Sequence, residues 1–327
     1  MGLNGALLAV DAGNSKTDVA VIAADGSVLG EARGGGFQPP VVGVTTAVDT
    51  LAEIIGRAWA AAGGGDLPPV FARITACLAN ADLPVEEEEL KAALEARGWS
   101  RTVRVLNDTF AVLRAGLDEP RGVAVVCGAG INCVGMTPDG RTARFPAIGK
   151  ISGDWGGGGG LADEALWFAA RAEDGRGEPT ALARTLPAHF GLPTMYALIE
   201  ALHLGRLDQH RKHELTPVLF RTAAEGDLIA QSLVDRQADE VVALATVALG
   251  RLDLLDEEAP VMLGGSVLAA RHERLDSRIA ELLAAKAPKA VIGVVSAPPV
   301  LGAGLLVLDD AAAGPGAAAR LRAHYTA

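Results

Sequence analysis

One pattern occurs twice in this chain: an apolar run, a glycine turn carrying small polar residues, a second β-like run, and an Asp-Gly turn. The first copy spans Ala6 to Ile22, turns at Asp11-Ala12-Gly13-Asn14-Ser15-Lys16-Thr17 and closes at Asp25-Gly26. The second spans Val123 to Met136, turns at Gly128-Ala129-Gly130-Ile131-Asn132 and closes at Asp139-Gly140. Short apolar runs bounded by Gly and Asp-Gly read as hairpin strands, so each copy presents backbone N–H groups at a tight strand-to-strand turn. Two such turns facing each other can grip a polyphosphate from both sides.

The segments around the first copy predict strand, strand, strand, helix, strand, helix, strand, helix over residues 1 to about 115. After the hairpin, Val28 to Ala32 adds a strand, and Gly34 to Pro40 reads as a loop. Val48, Leu51, Ile54, Ile55 and Trp59 recur near helical spacing between about Thr45 and Ala62. A strand over Val70 to Leu78 leads through Asn80-Ala81-Asp82 to a helix opened by Pro84, whose Glu86 to Glu89 form a solvated face suited to the helix dipole. A strand from Val103 to Leu106 ends at Asn107-Asp108, and Thr109 to Ala115 reads as a helix. The second half carries Asp154-Trp155, five glycines (Gly156 to Gly160), a helix from Leu161 to Ala172, and helical periodicity through Leu252. Strand Val261 to Leu263 runs into Gly264-Gly265-Ser266, a helix-like stretch continues to Ala285, and a last strand covers Val291 to Val295. A final helix follows, and residues after about Gly316 are Ala-rich and look like a frayed end. The order predicts a duplicated α/β domain. With 327 residues and 50% hydrophobic content, the chain can bury two cores.

Composition removes several function classes. A net charge of −11 weighs against a nucleic-acid surface, which needs a concentrated basic footprint. Apolar runs are broken by charge or glycine well before membrane-spanning length, and no secretory leader is evident, so a soluble cytoplasmic protein is expected. Cys77, Cys127 and Cys133 form no CxxC and no zinc spacing, which suits reduced, buried thiols. The scattered histidines, including His210 and His213, make no HExxH and read as solvated surface.

Two familiar phosphate motifs fail on context. Asn14-Ser15-Lys16-Thr17 resembles the end of a P-loop, but Ser15 precedes Lys16 where glycine is required, and a strand follows instead of a helix. The Gly156 to Gly160 run follows no strong strand, and Leu161 and Ala162 stand where the last glycine of a dinucleotide fingerprint would fall. Carboxylates at strand ends carry more. Asp11 ends an apolar strand two residues before Gly13, and Asp108 follows a strand and opens a helix. A turn-former and a helix N-cap are the plain structural alternatives. Carboxyl ends of strands line the ligand crevice of sheet-based folds, and two acids beside glycine turns suit Mg²⁺ anchoring and hydroxyl activation.

The ordered set Asp11-Ala-Gly13-Asn-Ser15-Lys16-Thr17, Asn107-Asp108, Gly128-Ala-Gly130-Ile-Asn132, Gly153-Asp154, Gly264-Gly265-Ser266 and Leu301-Gly302-Ala303 resembles the N-acetylglucosamine kinase and BadF-type ATPase family. That family shares a superfamily with acetate kinase, sugar kinases, the heat-shock chaperone ATPase and actin. The resemblance implies duplicated actin-like, ribonuclease H-like ATPase lobes around a cleft, one over 1–115 and one with a helical insertion over 116–303. Whether a final helix at about 304–327 returns to the first lobe stays open. It further implies ATP and Mg²⁺, and transfer of the γ-phosphate to an amino sugar such as N-acetylglucosamine or glucosamine. Asp11 would hold Mg²⁺ through water, and Gly13, Asn14, Ser15, Lys16 and Thr17 would form the first phosphate turn. Gly128, Ala129, Gly130 and Asn132 would form the second. Asp108 would be the general base, Gly264, Gly265 and Ser266 would pack against adenosine, and Leu301, Gly302 and Ala303 would start a hinge-linked final helix. The sugar would meet Asp108, Gly153, Asp154 and the loop holding Gln38.

Two departures touch the sugar. Phe37-Gln38-Pro39 occupies a loop where mammalian-type amino-sugar kinases carry asparagine, and Trp155 replaces an acid that often follows the Asp154 position. An amide and an indole still offer hydrogen bonds and a stacking face, while packing is the other reading of Trp155. The same family contains ATPases that activate CoA-ester dehydratases through an iron–sulfur cluster between subunits. Cys127 and Cys133 flank the second turn, a poor position for such a cluster. The implied partner is a small amino sugar, with no nucleic acid and no membrane, and homodimerisation stays open.

Overall fold

Val, Ile, Leu and Ala runs separated by Gly and Asp-Gly turns build ten strands, arranged in two five-stranded sheets, across residues 3, 5–65 and 68–326, which the computed structural model describes. The first sheet has the order β3-β2-β1-β4-β5, from β1 (Leu7–Ala12), β2 (Lys16–Ile22), β3 (Val28–Gly35), β4 (Arg73–Leu78) and β5 (Val103–Asn107). β2 runs antiparallel to β1 and β3, while β1, β4 and β5 are mutually parallel. Every residue of β1 is buried, which explains its continuous apolar run: both faces of the central strand are covered.

One face is covered by the helix Val44–Ala61, through Val48, Leu51, Ile54 and Ile55. Helix Pro299–Asp310, apolar and buried from Val300 to Leu308, packs on β1 and on the helix Thr109–Gly116. Gly302 permits that last contact, since a Cβ there would overlap the Ala111 carbonyl. β3 extends to Gly35, beyond the expected end at Ala32. Gly34 and Gly35 pair with Thr17 and Lys16, and a side chain at Gly34 would overlap Ile54 of the covering helix.

The Ala-rich tail is not frayed. Pro315–Thr326 is a helix whose Leu321 is fully buried and whose Arg322 donates to the carbonyls of Ala115 and Leu117. Tyr325 donates its hydroxyl to Glu31 at 2.5 Å, and Arg320 pairs with Asp25.

The second sheet has the order β10-β9-β6-β7-β8, from β6 (Gly122–Cys127), β7 (Ile131–Met136), β8 (Thr142–Arg144), β9 (Ala259–Gly264) and β10 (Ala290–Val294). Contacts divide the chain into two units. The first runs to Ala124, resumes over Val134–Pro146 and includes the chain from Val295 onward; the second comprises Val125–Cys133 and Ala147–Val294. The second unit holds the helices Gly157–Glu173, Leu182–His189, Met195–His203, Leu215–Ala224 and Leu228–Arg251. Its first helix begins inside the glycine run, four residues before the expected Leu161. The stretch after β9 divides into Gly265–Ala269 and Glu273–Lys286, with Arg271 between them at φ 56°. Among the described residues, no helix is long and apolar enough to cross a membrane.

Candidate active site

Register gathers the first unit's acids. Ala12 lies opposite Leu78, and Leu78 opposite Asn107, so the three parallel strands end level. Ala79 N–H donates to Ala12 O at 2.7 Å and Asp108 N–H to Leu78 O at 3.2 Å, carrying the alignment into the loops. Asp11, the Asn80-Ala81-Asp82 loop and Asp108 thus share one end of the sheet, the end where such folds bind ligands.

Asp11 is buried, with Asp18 opposite it on β2 and Cys77 on β4. Burial, then the negative charges of Asp108 and Asp18, push its pKa up to about 7. Burial raises Asp108 to about 6, against the opposing effect of the Thr109 donors. Asp108 occupies the N-cap position of helix Thr109–Gly116, but its side chain makes no cap bond. Asn107 Oδ1 accepts the Thr109 N–H at 3.0 Å instead.

Asp82 is a third acid, and one the sequence reading treated only as loop. Burial, then Asp108 and Glu86, raise it to about 7. Its Oδ1 accepts from Asn107 Nδ2 at 2.8 Å, and Arg144 donates to its carbonyl at 2.6 Å while pairing with Glu87 at 2.7 Å. Asn107 thus ties Asp82 to the first peptide of the helix behind Asp108.

The first glycine turn is held by backbone and side chains together. Gly13 N–H closes it on Lys16 O at 2.9 Å, and Gly13 O accepts from Phe37 N–H at 2.9 Å. Gln38 Nε2 donates to Asn14 O at 2.8 Å, and Asn80 Nδ2 to Asn14 Oδ1 at 3.0 Å. Gln38, expected to meet the sugar, donates from its amide to the first glycine turn. Asp18, held below the usual carboxylate range by Arg33 and Lys16, pairs with Arg33 Nε at 2.5 Å and Lys16 Nζ at 3.2 Å. Thr17 is buried, and the chain around Ser15 is exposed.

The second turn, in the other unit, is held by backbone. Gly128 N–H closes it on Gly130 O at 3.0 Å. The helix Gly157–Glu173 starts against it: Gly158 N–H donates to Gly128 O at 2.7 Å and Gly159 N–H to Ala129 O at 2.8 Å. A Cβ on Gly157 would overlap the Gly130 backbone, so the glycine run is a backbone-to-backbone contact surface. Gly265, at φ +82°, sits where a Cβ would overlap Cys127, bringing Gly264-Gly265-Ser266 beside the same turn. Asn132 Oδ1 accepts the N–H of Cys133 at 2.7 Å.

A cavity of about 340 Å³ adjoins this turn, lined by Gly130, Ile131, Lys150, Asp154 and Trp155 among others. Asp154 Oδ2 accepts from Gly149 N–H at 2.9 Å and Ser152 Oγ at 2.6 Å, which folds the loop carrying Gly153. Trp155 is buried, and the Arg236 guanidinium stacks 4.1 Å from its ring centre. It is both a wall of the cavity and a packing residue. The three cysteines are buried free thiols, with burial raising Cys127 to about 12.

Two α/β sheets with acids and glycine turns at strand ends define the actin-like ATPase fold. A crystal structure of a candidate N-acetylglucosamine kinase from Chromobacterium violaceum superposes with a TM-score of 0.70 at 24% identity, covering 93% of this chain and 99% of that one. A ROK family glucokinase from Streptomyces griseus, solved with glucose and AMPPNP, superposes with a TM-score of 0.54 at 18% identity, covering 94% and 99%. The chain belongs to the BadF/BadG/BcrA/BcrD ATPase family, whose model matches residues 8–306. It is similar to the N-acetylmuramic acid/N-acetylglucosamine kinase of Clostridium acetobutylicum, 25% identical over 80% of this chain and 85% of that protein. It is also similar to the N-acetyl-D-glucosamine kinase of Dictyostelium discoideum, 26% identical over 72% of this chain and 75% of that protein.

Proposed function

We propose that this protein is an ATP-dependent kinase that phosphorylates a hydroxyl of an amino sugar, N-acetylglucosamine or a close relative. The observation that carries the reading is the level ending of β1, β4 and β5, which puts Asp11 and Asp108 at one sheet end beside a glycine turn. The amino-sugar kinases among its relatives support the acceptor class.

Asp108 is the general base. Its pKa near 6 leaves it ionised at neutral pH yet basic enough to take a proton as the hydroxyl attacks. The sugar oxygen bonds to the γ-phosphorus, the bond to the departing ADP oxygen breaks, and the hydroxyl proton ends on Asp108. The N–H groups of the two glycine turns bind phosphate oxygens, and Gly264, Gly265 and Ser266 bear on the adenosine. Asp154 orients sugar hydroxyls with the carboxyl oxygen that its own loop does not use.

The acids fit a magnesium ion. Asp11 is a buried carboxylate whose ionisation is opposed by two neighbouring acids, a charge balance that a cation corrects. Magnesium takes one or two carboxylates, waters and substrate phosphates in place of an all-protein cage. Asp11 would hold it, with Asp108 and Asp18 as the neighbouring charges. When bound, the ion offsets the negative charge of the nucleotide phosphates.

A coupled ATP-consumption assay over N-acetylglucosamine, glucosamine, N-acetylmuramic acid and glucose tests the reading. An amino sugar raises consumption well above the basal rate, and chelation of Mg²⁺ abolishes it. If no sugar stimulates turnover, the kinase assignment fails.

A further inference from the structure

Gln237 lies in the middle of the helix Leu228–Arg251 and is completely buried, where a polar side chain costs free energy unless it is bonded. Its Oε1 accepts the N–H of Gly157 at 3.0 Å. Its Nε2 has no hydrogen-bond partner among the described residues. A Cβ on Gly156, at φ +104°, would overlap the Gln237 amide, so glycine and glutamine are fitted to each other.

Gly157 is the first residue of its helix, and a helix start leaves its first N–H groups without intrahelical partners. Gln237 takes the first, and the carbonyls of Gly128 and Ala129 take the next two. Thr216 Oγ1 pins the same helical turn by donating to Gly158 O at 2.6 Å. In a trans peptide the C=O of one residue and the N–H of the next point in opposite directions. No cis peptide is found among the described residues. With the carbonyls of Gly128 and Ala129 drawn onto the helix, the N–H groups of Ala129 and Gly130 point away from it. Those are the donors a phosphate chain needs.

We propose that Gln237 is a positioning residue for nucleotide binding: by fixing the start of helix Gly157–Glu173, it sets the aim of the second glycine turn. The proposal rests on the kinase reading and adds to it a residue far from the turn in sequence. It also gives Gly156 to Gly159 a task that neither phosphate binding nor helix propensity supplies. Their lack of side chains lets the helix start reach the carbonyls of the turn.

The test compares wild type with Gln237→Leu, which removes the acceptor at similar volume, and Gln237→Glu, which keeps an acceptor oxygen. ATP binding with Mg²⁺ is measured by titration calorimetry without sugar at pH 8, where Asp11 is ionised, with Gln237→Glu compared with wild type at pH 6 as well because burial favours the uncharged glutamate, alongside KM and kcat for both substrates. Gln237→Leu weakens ATP about tenfold, the scale of one lost buried hydrogen bond, with the sugar KM within about twofold of wild type. Gln237→Glu stays within about threefold of wild type for ATP. A purely structural role would weaken both substrates in step with a falling Tm in both variants. That result, or unchanged ATP affinity in Gln237→Leu, overturns the proposal. If Gln237→Leu does not fold, Thr216→Val is substituted: a severalfold ATP-selective loss supports the proposal, and no loss overturns it. Wild type that binds no ATP would instead sink the kinase reading itself.

Discussion

The two glycine turns share a sequence pattern and differ in what holds them. The first adds side chains to its backbone bonds: Gln38 and Asn80 grip Asn14, and Arg33 and Lys16 hold Asp18. The second is held backbone to backbone, with Gly158 and Gly159 on the carbonyls of Gly128 and Ala129. A side-chain scaffold brings charge with it, and the three raised acids lie in the first unit. A backbone scaffold brings none, and the charge beside the second turn comes from the cavity it adjoins, through Lys150, Asp154, Asp163 and Glu164. The pattern therefore encodes a hairpin, and what surrounds each hairpin makes the two different.

The largest effect should come from the charged side. Asp108→Asn preserves shape and loses basicity, so kcat falls about 10²–10⁴-fold with both KM values little changed. The matched change in the second unit, Asp154→Asn, should raise the sugar KM about tenfold and spare kcat. In wild type, kcat/KM rises with pH through about 6 to about 7 and levels off above that, because Asp108 must be ionised as base and Asp11 to hold the metal. Asp154→Asn keeps that profile. Near-normal kcat in Asp108→Asn would erase the division between the two units.

A stability measurement gives the next largest effect. Asp11 has a folded pKa of about 7 against an ordinary 3.8, so the folded state holds its proton more tightly than the unfolded chain. Ionising it in the metal-free protein costs stability progressively from about pH 4 to about pH 7, and the cost is complete above that. Asp11→Asn removes the cost. It should raise Tm at pH 8 without Mg²⁺ by the equivalent of roughly 2–4 kcal/mol, on the order of up to three pKa units, and less at pH 5. Equal Tm values at pH 8 would show that the site carries no such repulsion.

The smallest effect tests the tethers. Asn80→Ala and Gln38→Ala each remove bonds at the rim of the first turn, and each should raise the ATP KM about threefold, roughly 0.5–1 kcal/mol. A change in sugar ranking with Gln38→Ala would return that residue to the sugar pocket, against its bond to Asn14.

The first unit was legible because its signals are local. Hairpin strands, Pro84 at a helix start and Asp108 after a strand can each be read within a few residues. Asp82 was missed because Asn80-Ala81-Asp82 has the composition of any turn, and only strand register brings it to Asp108. The start of helix Gly157–Glu173 was unreadable because glycine is a poor helix former, and carbonyls some thirty residues earlier supply the bonds that hold it. Gln237 gave no signal at all, since one glutamine in a helix implies nothing until its burial is known. The last helix was hidden by its alanines, which carry little amphipathic contrast.

The placement of helix Pro299–Asp310 has a consequence for how the chain is made. The face of β1 that it covers is formed from residues synthesised at the beginning, and the cover arrives only after some three hundred residues have been joined. The second unit closes earlier, because its segments are complete by Val294. During synthesis, then, a chain grown to Val294 holds every segment of the second unit, while the central strand of the first still shows bare hydrocarbon on one side. Closing that gap depends on contacts distant in sequence, which form slowly and leave apolar surface open to other chains in the meantime. The hazard in producing this protein lies in the interval before helix Pro299–Asp310 docks, and a chaperone that shields β1 covers the surface that matters during that interval.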